Sequence, residues 1–167
     1  MKIFLIGLPG SGKTTLGEKI AESLKIPFVD LDKEIERREG RLIREIFKEK
    51  NENYFRVLEA NELALWCESD KEFVMATGGG APCFFKNMDM INTCGTSIFI
   101  DVPALEIAGR IRKTNVEERP LLSAGGVDGL KDNIELMRTN RLSYYQRAHH
   151  TFAGETGLPA ILAAIKK

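Results

Sequence analysis

The chain has 167 residues, 43% hydrophobic and 29% charged, which fits one globular domain with a real core and excludes a disordered chain. Its 24 Lys+Arg and 24 Asp+Glu cancel, so no global field draws it to nucleic acid or to an anionic bilayer, and any anion must be held by placed groups. Cys67, Cys83 and Cys94 are odd in number and lack C-x-x-C spacing, which argues against a disulfide framework or a structural zinc site and predicts reduced thiols in a cytoplasmic protein.

Ile3 to Ile6 form a continuous apolar run ended by Gly7, the pattern of a strand buried on both faces. The run is too short and wrongly flanked for a signal peptide. From Lys13 the period changes, with Leu16, Ile20 and Leu24 four apart and Gly17 and Ala21 beside them, which predicts an amphipathic helix with a close-packing face. Pro27 to Val29 read as a second strand running into Asp30-Leu31-Asp32, followed by helical sequence from Lys33 to Glu39 that Gly40 stops. Helical periodicity resumes through Ile43, Ile46 and Phe47, breaks near Asn51, and continues from Tyr54 to Trp66.

Phe73 to Ala76 form a third strand that runs into Gly78-Gly79-Gly80. Ser97 to Val102 supply a fourth, Leu105 to Ile111 a helix, Ile134 to Tyr145 a long helix, Thr151 and Phe152 a weak fifth strand, and Leu158 to Ile165 a last helix. This alternation predicts an α/β fold in one domain over 1–167: a five-stranded parallel sheet covered by helices on both faces. The stretch 113–128, with Pro120, Gly125 and Gly126 and little periodicity, reads as a mobile loop. No run approaches the ~20 apolar residues a membrane helix needs.

Gly7, Gly12, Lys13 and Thr14 satisfy G-x-x-x-x-G-K-[ST] between a strand and a helix. Glycine lets successive amides, those of Gly10, Ser11 and Gly12 among them, turn toward one point, and the following helix adds its dipole there. The result is an anion nest for a polyphosphate, with Lys13 reaching the β- and γ-phosphates and Thr14 a shared Mg²⁺; Thr15 is a weaker partner. A nucleoside triphosphate with Mg²⁺ is therefore expected.

In an open α/β sheet ligands sit beyond the carboxyl ends of the strands, where the glycine turn, Asp30 with Asp32, and the triplet 78–80 should converge. Asp30 and Asp32 can divide the work between the metal's water shell and an acceptor hydroxyl, or Asp32 can merely cap the helix that follows. The triplet offers bare amides to a substrate, or is a plain turn. Arg56 and Arg141 fit solvated helix positions, whereas Arg119, before Pro120 in the loop, can swing over phosphates.

Taken together, "GLPGSGKTT", "FVDLD", "NENYFRVLE", "ATGGGAP", "ERPLL" and "NRLSYY" resemble the shikimate kinases, in that family's order and over nearly the whole chain. The resemblance implies a P-loop three-layer α/β/α fold, a substrate-binding region at about 32–60, a lid at about 113–128, and ATP-dependent phosphorylation of the 3-hydroxyl of shikimate with Mg²⁺. It implies that Asp32 contacts the acceptor hydroxyls and Asp30 supports the metal through water. Arg56 and Arg141 would clamp the carboxylate, the Gly79 amide, flanked by Gly78 and Gly80, would hold the ring, Arg119 would belong to the lid, and Arg112 would pack on adenine. An arginine fork suits a planar carboxylate better than lysine does. A monomer acting on a small molecule, away from nucleic acid and membranes, is expected.

Two positions depart from the family's pattern. Its glycine before the G-E-x-x-F-R-x-x-E glutamate is Asn51, which tolerates a left-handed turn, and its R-x-P-x-Y proline is Ser143. His149 and His150 read as helix-end residues. A sugar-acid kinase or a nucleoside monophosphate kinase also fits the first motif, and a sugar acid would also use a carboxylate clamp. A nucleotide-binding module without catalysis should lack one of Lys13, Thr14, Asp32, Arg56, Arg119 or Arg141, and all are present.

Overall fold

The computed structural model describes residues 1–113, 126–154 and 156–165. The first apolar run forms β1 (Lys2–Ile6) at the centre of a parallel sheet, with Ile3 to Ile6 fully buried. Strands β3 (Phe73–Ala76) and β4 (Thr96–Asp101) flank it, and β2 (Phe28–Asp30) and β5 (His150–Ala153) form the edges, giving the order β2-β3-β1-β4-β5. Strands covered on both faces need no polar side, which is why β1 and β3 read as unbroken apolar runs. The edge strand β5 alternates between half-buried and exposed residues, so its sequence signal is weak.

Helix α1 (Lys13–Leu24) packs close to the sheet because Gly17 has no side chain: a Cβ there would lie 2.5 Å from Phe28 Cε2. It ends at Lys25, whose left-handed backbone lets its amide reach Ala21 and Glu22 before Pro27 restarts the chain in an extended form. Helix α2 (Leu31–Glu39) begins two residues earlier than its charged sequence suggests, because Asp30 caps it, accepting from the Lys33 amide at 3.3 Å. Asp32 therefore sits in the first turn and is not the cap.

Helix α3 (Ile43–Glu49) leads into α4 (Glu52–Glu68), which Asn51 caps by accepting from the Tyr54 amide at 2.9 Å. Asn51 has φ −139°, so it serves as a capping side chain in extended backbone, and no left-handed turn is needed here. Helices α2 and α4 are tied by Glu62, only 2% exposed, which accepts from the Arg38 guanidinium and from Trp66 Nε1 at 3.1 Å. A buried carboxylate with donors from both helices fixes their relative placement.

The sequence pattern missed a short 3₁₀ turn (Ala81–Cys83) and helix α5 (Asn87–Cys94), because Pro82 and the positive φ of Phe85 and Lys86 break any period between them. Helix α6 (Ala104–Arg112) follows β4, and α7 (Gly126–Tyr145) starts well before Ile134, so the expected loop loses 126–128 to α7 and Lys113 to the end of α6. The rest of that loop, with Arg119, lies outside the described residues. His150 opens β5, and His149 Nδ1 accepts from the Ser97 amide at 3.2 Å, so these histidines join α7 to the sheet and do not end a helix. Helix α8 (Leu158–Ile165) packs against α1, and no helix among the described residues is long and apolar enough to cross a membrane.

Candidate active site

The turn after β1 is shaped by its glycines. Gly12 caps α1 with φ 92°, and Gly7 has φ 142° with room for no Cβ, since one would lie 2.7 Å from the Ile100 carbonyl oxygen. Lys13 is 8% exposed and folds back over the loop, its Nζ donating to the carbonyls of Gly7 at 3.0 Å and Leu8 at 2.9 Å. The Thr14 hydroxyl donates to Asp30 Oδ2 at 3.3 Å, joining the loop's helix to the end of β2. Thr15 is exposed and stands outside the cavity described next.

Arg110 was not singled out by sequence, yet its Nη1 donates to the Ser11 carbonyl at 3.1 Å while Glu106 pairs with its other nitrogen. It braces the loop from α6, about a hundred residues away in sequence, and only folding reveals that. Arg112, which sequence did single out, is exposed at the end of the same helix.

Beyond the carboxyl ends of β1, β2 and β3 lies a cavity of about 630 Å³ that brings together Lys13, Thr14, Asp30, Asp32, Arg56 and Arg141 along with the glycine triplet. Arg56, read as a solvated helix position by pattern alone, is 2% exposed. Its guanidinium donates to Glu59 at 2.8 Å and Glu52 at 3.0 Å and lies 4.5 Å from the Phe84 ring centre. Glu59 was legible only as a motif position three residues from Arg56, and here it is fully buried.

Three buried polar atoms in this cavity have no hydrogen-bond partner among the described residues: Asp32 Oδ1, Glu59 Oε1 and Arg141 Nη1. Leaving such atoms unmatched costs about 1–3 kcal/mol each, more for charged groups, so their clustering points to a polar ligand that completes them. Burial, with repulsion from Asp30, lifts Asp32 to about 6 against the pull of Lys13 and Arg56. Burial likewise lifts Glu59 to about 7, outweighing its contact with Arg56. Burial alone would lower Arg56, but Glu59 and Glu52 prevail and hold it above the usual arginine range.

The triplet is a fixed platform and not a plain turn. The Gly78 carbonyl accepts from the Ala81 amide at 3.1 Å, Gly79 from the Tyr145 hydroxyl at 2.5 Å, and Gly80 from the Cys83 amide at 2.9 Å. Side chains are shut out by the site itself. A Cβ would lie 2.7 Å from Glu59 Oε1 at Gly78, 2.6 Å from Pro9 Cδ at Gly79 and 2.6 Å from Arg56 Cζ at Gly80.

The model of the family described as shikimate kinase matches residues 9–166. A shikimate kinase of Bacteroides fragilis is 41% identical over 93% of this chain and 86% of its own length. The crystal structure of a shikimate kinase from Bacteroides thetaiotaomicron superposes with a TM-score of 0.86 at 36% identity, covering 99% of this chain and 94% of that one. A shikimate kinase from Acinetobacter baumannii in complex with shikimate superposes with a TM-score of 0.87 at 30% identity, covering 99% and 90%. A family match over residues 9–166 and a relative 41% identical over most of both chains show that this chain belongs to the shikimate kinase family.

Proposed function

We propose that the protein transfers the γ-phosphoryl group of ATP to the 3-hydroxyl of shikimate, giving shikimate 3-phosphate and ADP in aromatic amino-acid biosynthesis. The observation that carries this reading is the cluster of unmatched buried atoms, one from each of Asp32, Glu59 and Arg141, in the cavity that also holds Lys13. A small acceptor bearing both a carboxylate and hydroxyls would complete them.

In this reading Arg56 and Arg141 clamp the carboxylate, Arg141 through its unmatched Nη1. The platform at Gly78 to Gly80 seats the ring. Asp32 faces the acceptor hydroxyl, orienting it and accepting its proton as the phosphoryl group transfers. The loop amides and Lys13 hold the triphosphate, and the helix α1 dipole favours its charge. Arg112 would meet the adenine and Arg119, outside the described residues, the transferring phosphoryl group, both by family resemblance.

The Thr14 hydroxyl and Asp30 carboxylate, in contact at 3.3 Å, are the hard oxygen donors that suit Mg²⁺. The ion would be held by the Thr14 hydroxyl, by Asp30 through water, and by the phosphates. Bound there, Mg²⁺ would neutralise charge on the β- and γ-phosphates. We take the protein to work as a monomer in the cytoplasm.

The test is ADP release measured with shikimate, gluconate and nucleoside monophosphates as acceptors. Stimulation by shikimate alone is expected. Stimulation by either of the others in its place overturns the assignment.

A further inference from the structure

Tyr145 is fully buried in the last turn of α7, four residues after Arg141 and so on the same face of that helix. Its ring packs on Phe99, with centroids 5.1 Å apart. Its hydroxyl crosses to the glycine platform and donates to the Gly79 carbonyl at 2.5 Å, and the Arg141 guanidinium lies beside the same phenol.

From these contacts we propose that Tyr145 is a positioning residue for the acceptor, holding the Gly79–Gly80 peptide and the Arg141 guanidinium in register with each other. A trans peptide is planar, so anchoring the Gly79 carbonyl also fixes where the Gly80 N–H points. Pro9 packs against Gly79, where a Cβ would lie 2.6 Å from Pro9 Cδ, so the phenol and the proline both bear on this residue. Burial also pushes the phenol above its usual range, which keeps it a neutral donor. One hydroxyl thus links the arginine expected to read the carboxylate to the backbone expected to seat the ring. The inference rests on the acceptor reading above.

Tyr145→Phe keeps the ring on Phe99 and removes only the hydroxyl. The expected result is a shikimate KM raised about tenfold, near the upper end for one hydrogen bond, with the ATP KM and kcat within about twofold. In an Arg141→Ala background the same change should raise the shikimate KM by less than about twofold. An unchanged shikimate KM, equal penalties on both substrates, or full additivity with Arg141→Ala overturns the role. Wild-type protein that fails to turn over shikimate strikes the acceptor reading and leaves a different signature from any of these. Should Tyr145→Phe not fold, 3-fluorotyrosine at position 145 keeps ring and hydroxyl while making the phenol a stronger donor. A shift in the shikimate KM at constant ATP KM is then expected, and no shift in either overturns the proposal.

Discussion

In the glycine turn after β1 the residues of the motif lie within 7–14 and are held by protein partners: Lys13 by two loop carbonyls, Thr14 by Asp30, the loop by Arg110. In the cavity beyond it they come from α2, α4, the turn after β3 and α7, and Asp32, Glu59 and Arg141 each keep a buried atom with no partner among the described residues. The turn is shaped by local backbone geometry that few glycine positions dictate. The pocket is shaped by packing and holds unmatched polarity that the rest of the fold must offset.

The sharpest way to break that contrast is Arg56→Ala. It leaves Glu59 buried without its cation, and removing one partner of such a pair costs about 3–5 kcal/mol, toward the lower end here because Glu59 can take up a proton. Urea denaturation should show this loss, and calorimetry should show shikimate binding abolished with ATP binding retained. Lys13→Ala strikes the other region and should lower kcat by about 10²–10³-fold while shikimate still binds. A comparable loss of shikimate affinity in that variant would show that the two regions are not separable.

Gly80→Ala probes the seam between them. A Cβ there meets the Arg56 guanidinium, so the arginine must swing aside, and the shikimate KM should rise about tenfold with the ATP KM nearly constant. Glu59→Gln tests the buried carboxyl by pH. Glu59 titrates near 7 when folded against an ordinary 4.5, so the folded state binds the extra proton between those values. Its contribution to stability is complete below about 4.5 and lost as pH rises through about 7; wild type minus Glu59→Gln, followed by denaturation, should fall across that window. A flat difference would place Glu59 in a more solvated setting. Arg37→Ala, an exposed partner of Glu34, should change stability by no more than about 0.5 kcal/mol and marks the baseline.

What the sequence made legible follows the same division. The glycine turn and β1 were readable because their signals are local: an apolar run, a spaced motif, a change of period. The identity of Asp30 as the cap of α2, the platform's use of Tyr145, and Arg110's hold on Ser11 were not, because each depends on partners distant in sequence or on a boundary shifted by two residues. Arg56 is the instructive case. Helical spacing alone places it on a solvated face, and only the family resemblance, then the packing of Glu59 and Phe84 around it, moves it inside.

The most direct measurement is a calorimetric titration of shikimate into the wild-type protein and into Arg141→Ala. Tight binding to the first and a loss of about 10²-fold in the second, with ATP binding unchanged in both, is the result expected if the unmatched Nη1 meets the substrate carboxylate. Equal shikimate affinity in the two proteins would contradict it.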